Sequence, residues 1–156
     1  MSPDVLLLLL LVPLLAYMAA SDVKHMRIPN WLVLCMVAVF AIFAPFMLNT
    51  DEIILRAGIA TAVLVFGFVA FILGLVGGGD VKAIAALMLF VPANSISIAH
   101  FAFTLSTTML IGIAIILIAR RCVDTSNSNY VSLTVGRGYP MGLSIALAGI
   151  IFPAVL

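Results

Sequence analysis

Two stretches of the chain, SDVKHMRIPN (21–30) and VGGGDVKAIA (76–85), share the tripeptide Asp-Val-Lys. Only six of the 156 residues are acids, yet the same acid-base pair occurs twice, each time at the edge of a long apolar run. Two carboxyls brought close together cannot both ionise easily, so they share a proton and titrate as one unit. One carboxylate can then take a proton from water as the water attacks a carbonyl carbon. The protonated partner supports the oxyanion that develops. Asp22 and Asp80 are therefore the candidate reactive pair. The competing reading is structural: Asp80 makes a good helix N-cap, and both acids could serve as membrane-edge anchors.

The surroundings of Asp80 favour chemistry over capping. Gly77, Gly78 and Gly79 precede it directly. Glycine permits close helix approach, and glycines such as Gly77 and Gly79 would let an extended backbone lie against the carboxyl. The competing reading is that Gly67, Gly74, Gly77, Gly78 and Gly79 only mark tight packing and a helix break. Lys24 and Lys82 each follow their aspartate by two positions. That spacing points a helical side chain elsewhere, so snorkelling to the membrane surface is their ordinary role. His25 is a possible pH-sensitive neighbour of Asp22, although a solvated loop histidine is the plainer reading. His100 falls on the opposite side of the membrane.

These residues must be positioned by membrane helices. Hydrophobic residues make up 65% of the chain and the mean hydropathy is +1.37. A soluble domain needs far more polar surface than this, so the outer surface must face lipid. A bilayer core of about 30 Å takes roughly 20 apolar helical residues. The charges and turn signals then divide the chain into apolar runs over 5–20, 31–48 and 56–80. A fourth and a fifth run are separated by the turn-forming VPANS (91–95), and a sixth covers 139–156. The fourth is the shortest. Isolated strands cannot satisfy their backbone in lipid, so the expected fold is all-α: a single membrane-embedded domain over 1–156 with about six transmembrane helices.

Lys and Arg set the expected orientation. Lys24 and Arg27 lie between runs one and two, Lys82 follows run three, and Arg120, Arg121 and Arg137 lie between runs five and six. Only Arg56 lies opposite, beside Asp51 and Glu52. The basic connections belong in the cytoplasm, which puts both termini outside and both Asp-Val-Lys sites on the cytoplasmic face. The first run has no basic residue before it and carries Asp4, and Met18 spoils a small-x-small cleavage site. It reads as a retained membrane span rather than a secretory signal. Cys35 and Cys122 form no C-x-x-C pair and read as unpaired thiols. No metal site, no other cofactor and no nucleic-acid partner is expected.

Three separated segments resemble the type IV prepilin peptidases, membrane aspartic proteases of the G-x-G-D class. The first is Asp22 followed by Arg27-Ile28-Pro29-Asn30. The second is Gly77-Gly78-Gly79-Asp80 with Lys82, similar to the family's G-x-G-D-x-K. The third is YPMGLSIALAG (139–149), similar to its final Pro-x-Gly segment, here Pro140 and Gly142. The resemblance implies that Asp22 and Asp80 are the catalytic pair. Lys24, Arg27, Pro29, Asn30, Gly77, Gly79, Lys82, Pro140 and Gly142 would support them. Pro29 also suits the start of a helix for plain structural reasons. The implied substrate is a pilin precursor, presenting a positively charged leader and its first hydrophobic helix at the inner face of the bacterial cytoplasmic membrane, with lipid around both. Larger members carry an added cytoplasmic region with paired C-x-x-C motifs and also methylate the new N-terminus. The chain looks like the small, peptidase-only members that serve Flp pili, which implies cleavage without methylation.

Rival readings are a small proton-coupled transporter, a non-catalytic subunit of a pilus or secretion assembly, and another G-x-G-D protease of the presenilin kind. Transporters place acids near the midplane in repeated halves. Here the charges sit at run edges, and HMRIPNWL and AIAALMLF share nothing beyond the tripeptides before them. The polar connection DTSNSNYVSLTVGRG (124–138) is expected as a cytoplasmic loop.

Overall fold

The computed structural model describes residues 2–122 and 139–156. The polar connection at 124–138, together with Arg137, lies outside the described residues. Six α-helices follow one another among those described: α1 Pro3–His25, α2 Asn30–Met47, α3 Thr50–Ile72, α4 Gly78–Met88, α5 Ser95–Cys122 and α6 Met141–Ile151. A 3₁₀ turn, Phe152–Ala154, extends the last. No strand occurs among the described residues.

The six apolar runs thus become six helices, but not six of equal reach. Four (α1, α2, α3 and α5) are long and apolar enough to cross a membrane. The 11 residues of α4 rise only about 16 Å, roughly half a bilayer core. The turn after α4 is correspondingly buried, with Phe90 and Val91 almost wholly enclosed. A buried backbone turn needs partners for its polar groups. Arg56 and Glu52 of α3 provide them. The Arg56 guanidinium donates to the Phe90 carbonyl at 3.4 Å, and the Ala93 N–H donates to Glu52 Oε1 at 3.0 Å.

Arg56 was expected to flank the third run. It lies instead within α3, 1% exposed. Its Nε donates to Glu52 Oε1 at 2.9 Å, and its terminal nitrogen pairs with Asp4 near the start of α1. Helix α3 begins six residues before Arg56, with Asp51 and Glu52 in its first turn where the helix dipole favours acids. One buried cation thus ties α1, α3 and the α4–α5 turn together at the end of the bundle remote from Asp22.

The centre of the bundle is built from α1, α4 and α6. Leu7, Leu8, Leu11, Leu15 and Met18 form one buried stripe along α1 at helical spacing. They meet Ile145, Ala146 and Ala148 of α6, with Ala83, Ala86 and Leu87 of α4 completing the layer. Helix α2 adds Leu32, Met36, Phe40 and Ala44 at intervals of four. Between membrane helices, packing contacts rather than water exclusion supply the attraction, so small residues sit where backbones approach. A Cβ on Gly149 would lie 2.7 Å from Leu15 Cδ1, and one on Gly67 would lie 2.6 Å from Val81 Cγ1. The lipid-facing surface carries Phe46, Phe66, Phe103 and Leu110, each at least 70% exposed.

Candidate active site

Helix α1 runs through Asp22 to His25 rather than stopping at residue 20, which places Asp22 in its last two turns. The helix closes on Met26, whose N–H donates to the Asp22 carbonyl at 2.8 Å. Met26 adopts a left-handed conformation, φ 51°, which costs a non-glycine residue about 1 kcal/mol. The chain then turns through Arg27 and Ile28, with the Ser21 hydroxyl donating to the Arg27 carbonyl at 3.1 Å. Pro29 caps the start of α2.

Asp22 is buried at 4% exposure. Its Oδ2 accepts the Gly142 N–H at 2.7 Å, from the first turn of α6. Here α6 still has unsatisfied amides, and a carboxylate is a favoured partner for them. Only glycine fits the approach: a Cβ at Gly142 would lie 2.9 Å from both Asp22 Cγ and Oδ2, and 3.0 Å from Ile28 Cδ1. Pro140, buried, precedes α6 as its N-cap residue.

Asp80 stands in the first turn of α4, outside the four long helices. Burial, and after it the charge of Asp22, raise its carboxyl to about 6 against the opposing Gly77 N–H. A Cβ at Gly77 would lie 2.5 Å from Asp80 Oδ2, so this residue too must be small. Upstream, Gly74 at φ +73° takes the left-handed turn that ends α3, with the Leu75 N–H donating to the Ala70 carbonyl at 3.0 Å.

The two aspartates line one cavity of about 990 Å³. Its wall also includes His25, Arg27, Pro29, Asn30, Gly77 and Gly79. Gly79 faces Ile28, where a Cβ would make an ordinary 3.5 Å contact. Gly142 reaches the site through Asp22. Lys82 does not line this cavity: its Nζ donates to Asn30 Oδ1 at 3.3 Å, bracing α4 against the start of α2, and it edges a separate apolar groove between α2, α3 and α4. Lys24 is exposed on the last turn of α1 and also lies off the cavity wall.

Two aromatic wall residues, Tyr17 and Tyr139, were not singled out from the sequence. Tyr17 lies one turn and a half before Asp22 and stacks at a tilt on Trp31, ring centroids 5.3 Å apart. Tyr139 immediately precedes Pro140, and its hydroxyl is hydrogen-bonded to the Ser144 hydroxyl. Burial raises the Tyr139 phenol pKa, the Ser144 bond opposes that, and the Asp22 charge adds to it. An aromatic pair in a membrane protein ordinarily reads as an interface belt, which is why sequence alone gave no signal for either tyrosine.

The bundle thus holds a glycine-edged cavity lined by two carboxyls among helices long and apolar enough to cross a membrane. The comparison of the sequence with family models makes the assignment specific. The model of the type IV leader peptidase family matches residues 9–119, so the chain belongs to that family. The match includes Asp22 and Asp80 and ends before the segment that carries Tyr139, Pro140 and Gly142. No curated protein and no solved structure matches the chain.

Proposed function

We propose that the chain is an aspartic endopeptidase that removes the leader from type IV pilin precursors of the Flp type. The observation that carries this reading is the shared cavity: Asp22 and Asp80, 58 positions apart in sequence and on different helices, line one space. Membership of the leader peptidase family supports the substrate class. The distribution of Lys and Arg supports a cytoplasmic site, both termini outside and residence in the bacterial inner membrane. The short α4 and α6 complete the six-helix arrangement as partial crossings packed inside the four long helices.

The reaction follows from the two environments. Asp22, held by the Gly142 N–H, acts as the carboxylate, because a hydrogen bond donated to a charged oxygen favours the charged form. Asp80 carries the shared proton. A water between them gives one proton to Asp22 as its oxygen bonds to the scissile carbonyl carbon, and Asp80 protonates the carbonyl oxygen. The resulting gem-diol collapses: Asp22 passes its proton to the leaving nitrogen, the C–N bond breaks, and Asp80 recovers a proton from the diol. Gly77 and Gly79 leave the wall free of side chains where the extended substrate backbone must approach. Cleavage without methyl transfer is the complete activity in this reading.

The test uses the purified protein in detergent with its co-encoded pilin precursor. Mass spectrometry should show a single new N-terminus and no added methyl group. An uncut precursor would count against the proposal.

A further inference from the structure

Lys82 stands at the mouth of an apolar groove that the two-carboxylate mechanism does not use. Helices α2 and α3 each pack on α4 more extensively than on each other, which leaves a cleft of about 270 Å³ between them. Its floor is Ala60 of α3 with Ala85 and Ala86 of α4, all three buried and too small to fill it. Val37 of α2 and Leu64 of α3 form the walls, each 41% exposed. Besides Lys82, the one polar side chain in the lining is Thr61. Its hydroxyl donates to the Ala57 carbonyl at 2.7 Å and so needs nothing from an occupant. Lys82, Ala85, Ala86 and Leu89 follow one face of α4 at helical spacing. The groove therefore runs inward from the Lys82 end for about 10 Å, a third of a bilayer core.

The ammonium at the mouth has capacity to spare. It donates to Asn30 Oδ1 at 3.3 Å, which engages one of its three N–H donors. Among the described residues the ion pairs are those of Arg56 with Asp4 and Glu52, so no carboxylate there neutralises Lys82. A cation above a hydrocarbon-lined cleft complements an occupant with an anionic head and an apolar tail. We propose that the groove is a binding site for an anionic phospholipid. The headgroup phosphate accepts from the two remaining Lys82 N–H groups, and the upper part of one acyl chain lies over Ala85, Ala86 and Leu89. Size favours a single chain over a peptide helix. A helix with its side chains is about 10–12 Å across, so one turn fills at least about 400 Å³, more than the groove holds. Asn30 also lines the Asp22–Asp80 cavity, so the bound headgroup sits one hydrogen bond from that wall. The inference stands on the membrane-helix fold and does not depend on the peptidase reading.

The experiment offers the full-length protein, in a neutral detergent, equal amounts of phosphatidylglycerol and phosphatidylcholine with the same acyl chains. Native mass spectrometry counts the lipid retained on wild type, Lys82→Gln, Thr61→Phe and Lys24→Gln. Wild type should retain phosphatidylglycerol with about fivefold preference, the size of one lysine's attraction to an anionic headgroup. Lys82→Gln should bring that preference close to one. Thr61→Phe puts a ring into the groove and should lower retention of both lipids at least about fivefold. Lys24 is exposed and off the groove, so Lys24→Gln should keep the wild-type preference. Should one groove variant not fold, the other decides. An unchanged preference in Lys82→Gln, an equal fall in Lys24→Gln, or full retention in Thr61→Phe would overturn the inference. So would displacement of the lipid by a peptide of the precursor's hydrophobic helix, which gives the groove to substrate, or a lipid-free dimer, which gives it to a second copy.

Discussion

The Gly142 N–H and the Asp22 carboxylate are joined by a 2.7 Å hydrogen bond that spans 120 positions of sequence. It links the start of α6 to the end of α1, so the orientation of the candidate catalytic carboxylate depends on how two helices far apart in sequence pack. The space between them admits no side chain at Gly142. Gly142→Ala would drive a methyl group to within 2.9 Å of Asp22 Cγ and Oδ2. The carboxylate must then rotate or α6 must retreat. Misplacing a reacting group by about 1 Å costs on the order of 100-fold in rate. We expect kcat to fall by at least that factor while the protein still purifies as a folded monodisperse species, checked by single-turnover cleavage and thermal unfolding.

Asp80 should make stability depend on pH. Its folded carboxyl holds a proton up to about pH 6 against an unperturbed value of 3.8. The native state therefore binds more protons than the unfolded state between those values, and stability falls as pH rises through that window. Asp80→Asn removes the carboxyl. The variant should melt a few degrees above wild type at pH 7, reflecting about 1–2 kcal/mol for a partly exposed group. The difference should close below about pH 4. Thermal scans in detergent from pH 4 to 8 measure it; a parallel decline in both proteins would exclude Asp80 as the source.

The same carboxyl should limit activity. If Asp80 supplies the proton to the substrate carbonyl, kcat/KM reports its ionisation in the free enzyme. The profile should decline above about pH 6, approaching tenfold per unit at higher pH. A flat profile between pH 6 and 8 would assign the proton elsewhere.

Arg56 should matter for stability and not for chemistry. Arg56→Met leaves Asp4 and Glu52 without their cation and the Phe90 carbonyl without its donor. Asp4 and Glu52 keep partial access to solvent, 26% and 33% exposed, so losing their cation and the Phe90 donor costs about 1–3 kcal/mol. The expected outcome is a large drop in resistance to denaturing detergent, with the residual folded fraction cleaving at a near-normal rate. The network lies at the other end of the bundle from Asp22.

Much of this architecture is legible in the sequence because charges in so apolar a chain are sparse enough to mark helix edges. Asp22, Asp80 and the glycines before Asp80 stand out for that reason, and the apolar runs between them become helices. What the sequence does not display is pairing across distance. Asp4 and Arg56 are 52 positions apart, and nothing local shows that one neutralises the other within the bundle. The extension of α1 through Asp22 is equally hidden, because the helix ends on a left-handed methionine where glycine would have announced a stop. Tyr139 sits beside a recognisable Pro-x-Gly segment, yet its relation to the cavity arises only when α5 and α6 lock through Thr108 and Ser144.

The most direct measurement compares wild type, Asp22→Asn and Asp80→Asn on the pilin precursor by mass spectrometry, with folding of each variant verified by thermal unfolding. Asparagine keeps the shape and removes the acid. The account predicts complete leader removal by wild type and none by either variant, with both variants folded. Leader removal that survives in both variants would contradict it and return the two aspartates to the role of helix caps at the membrane edge.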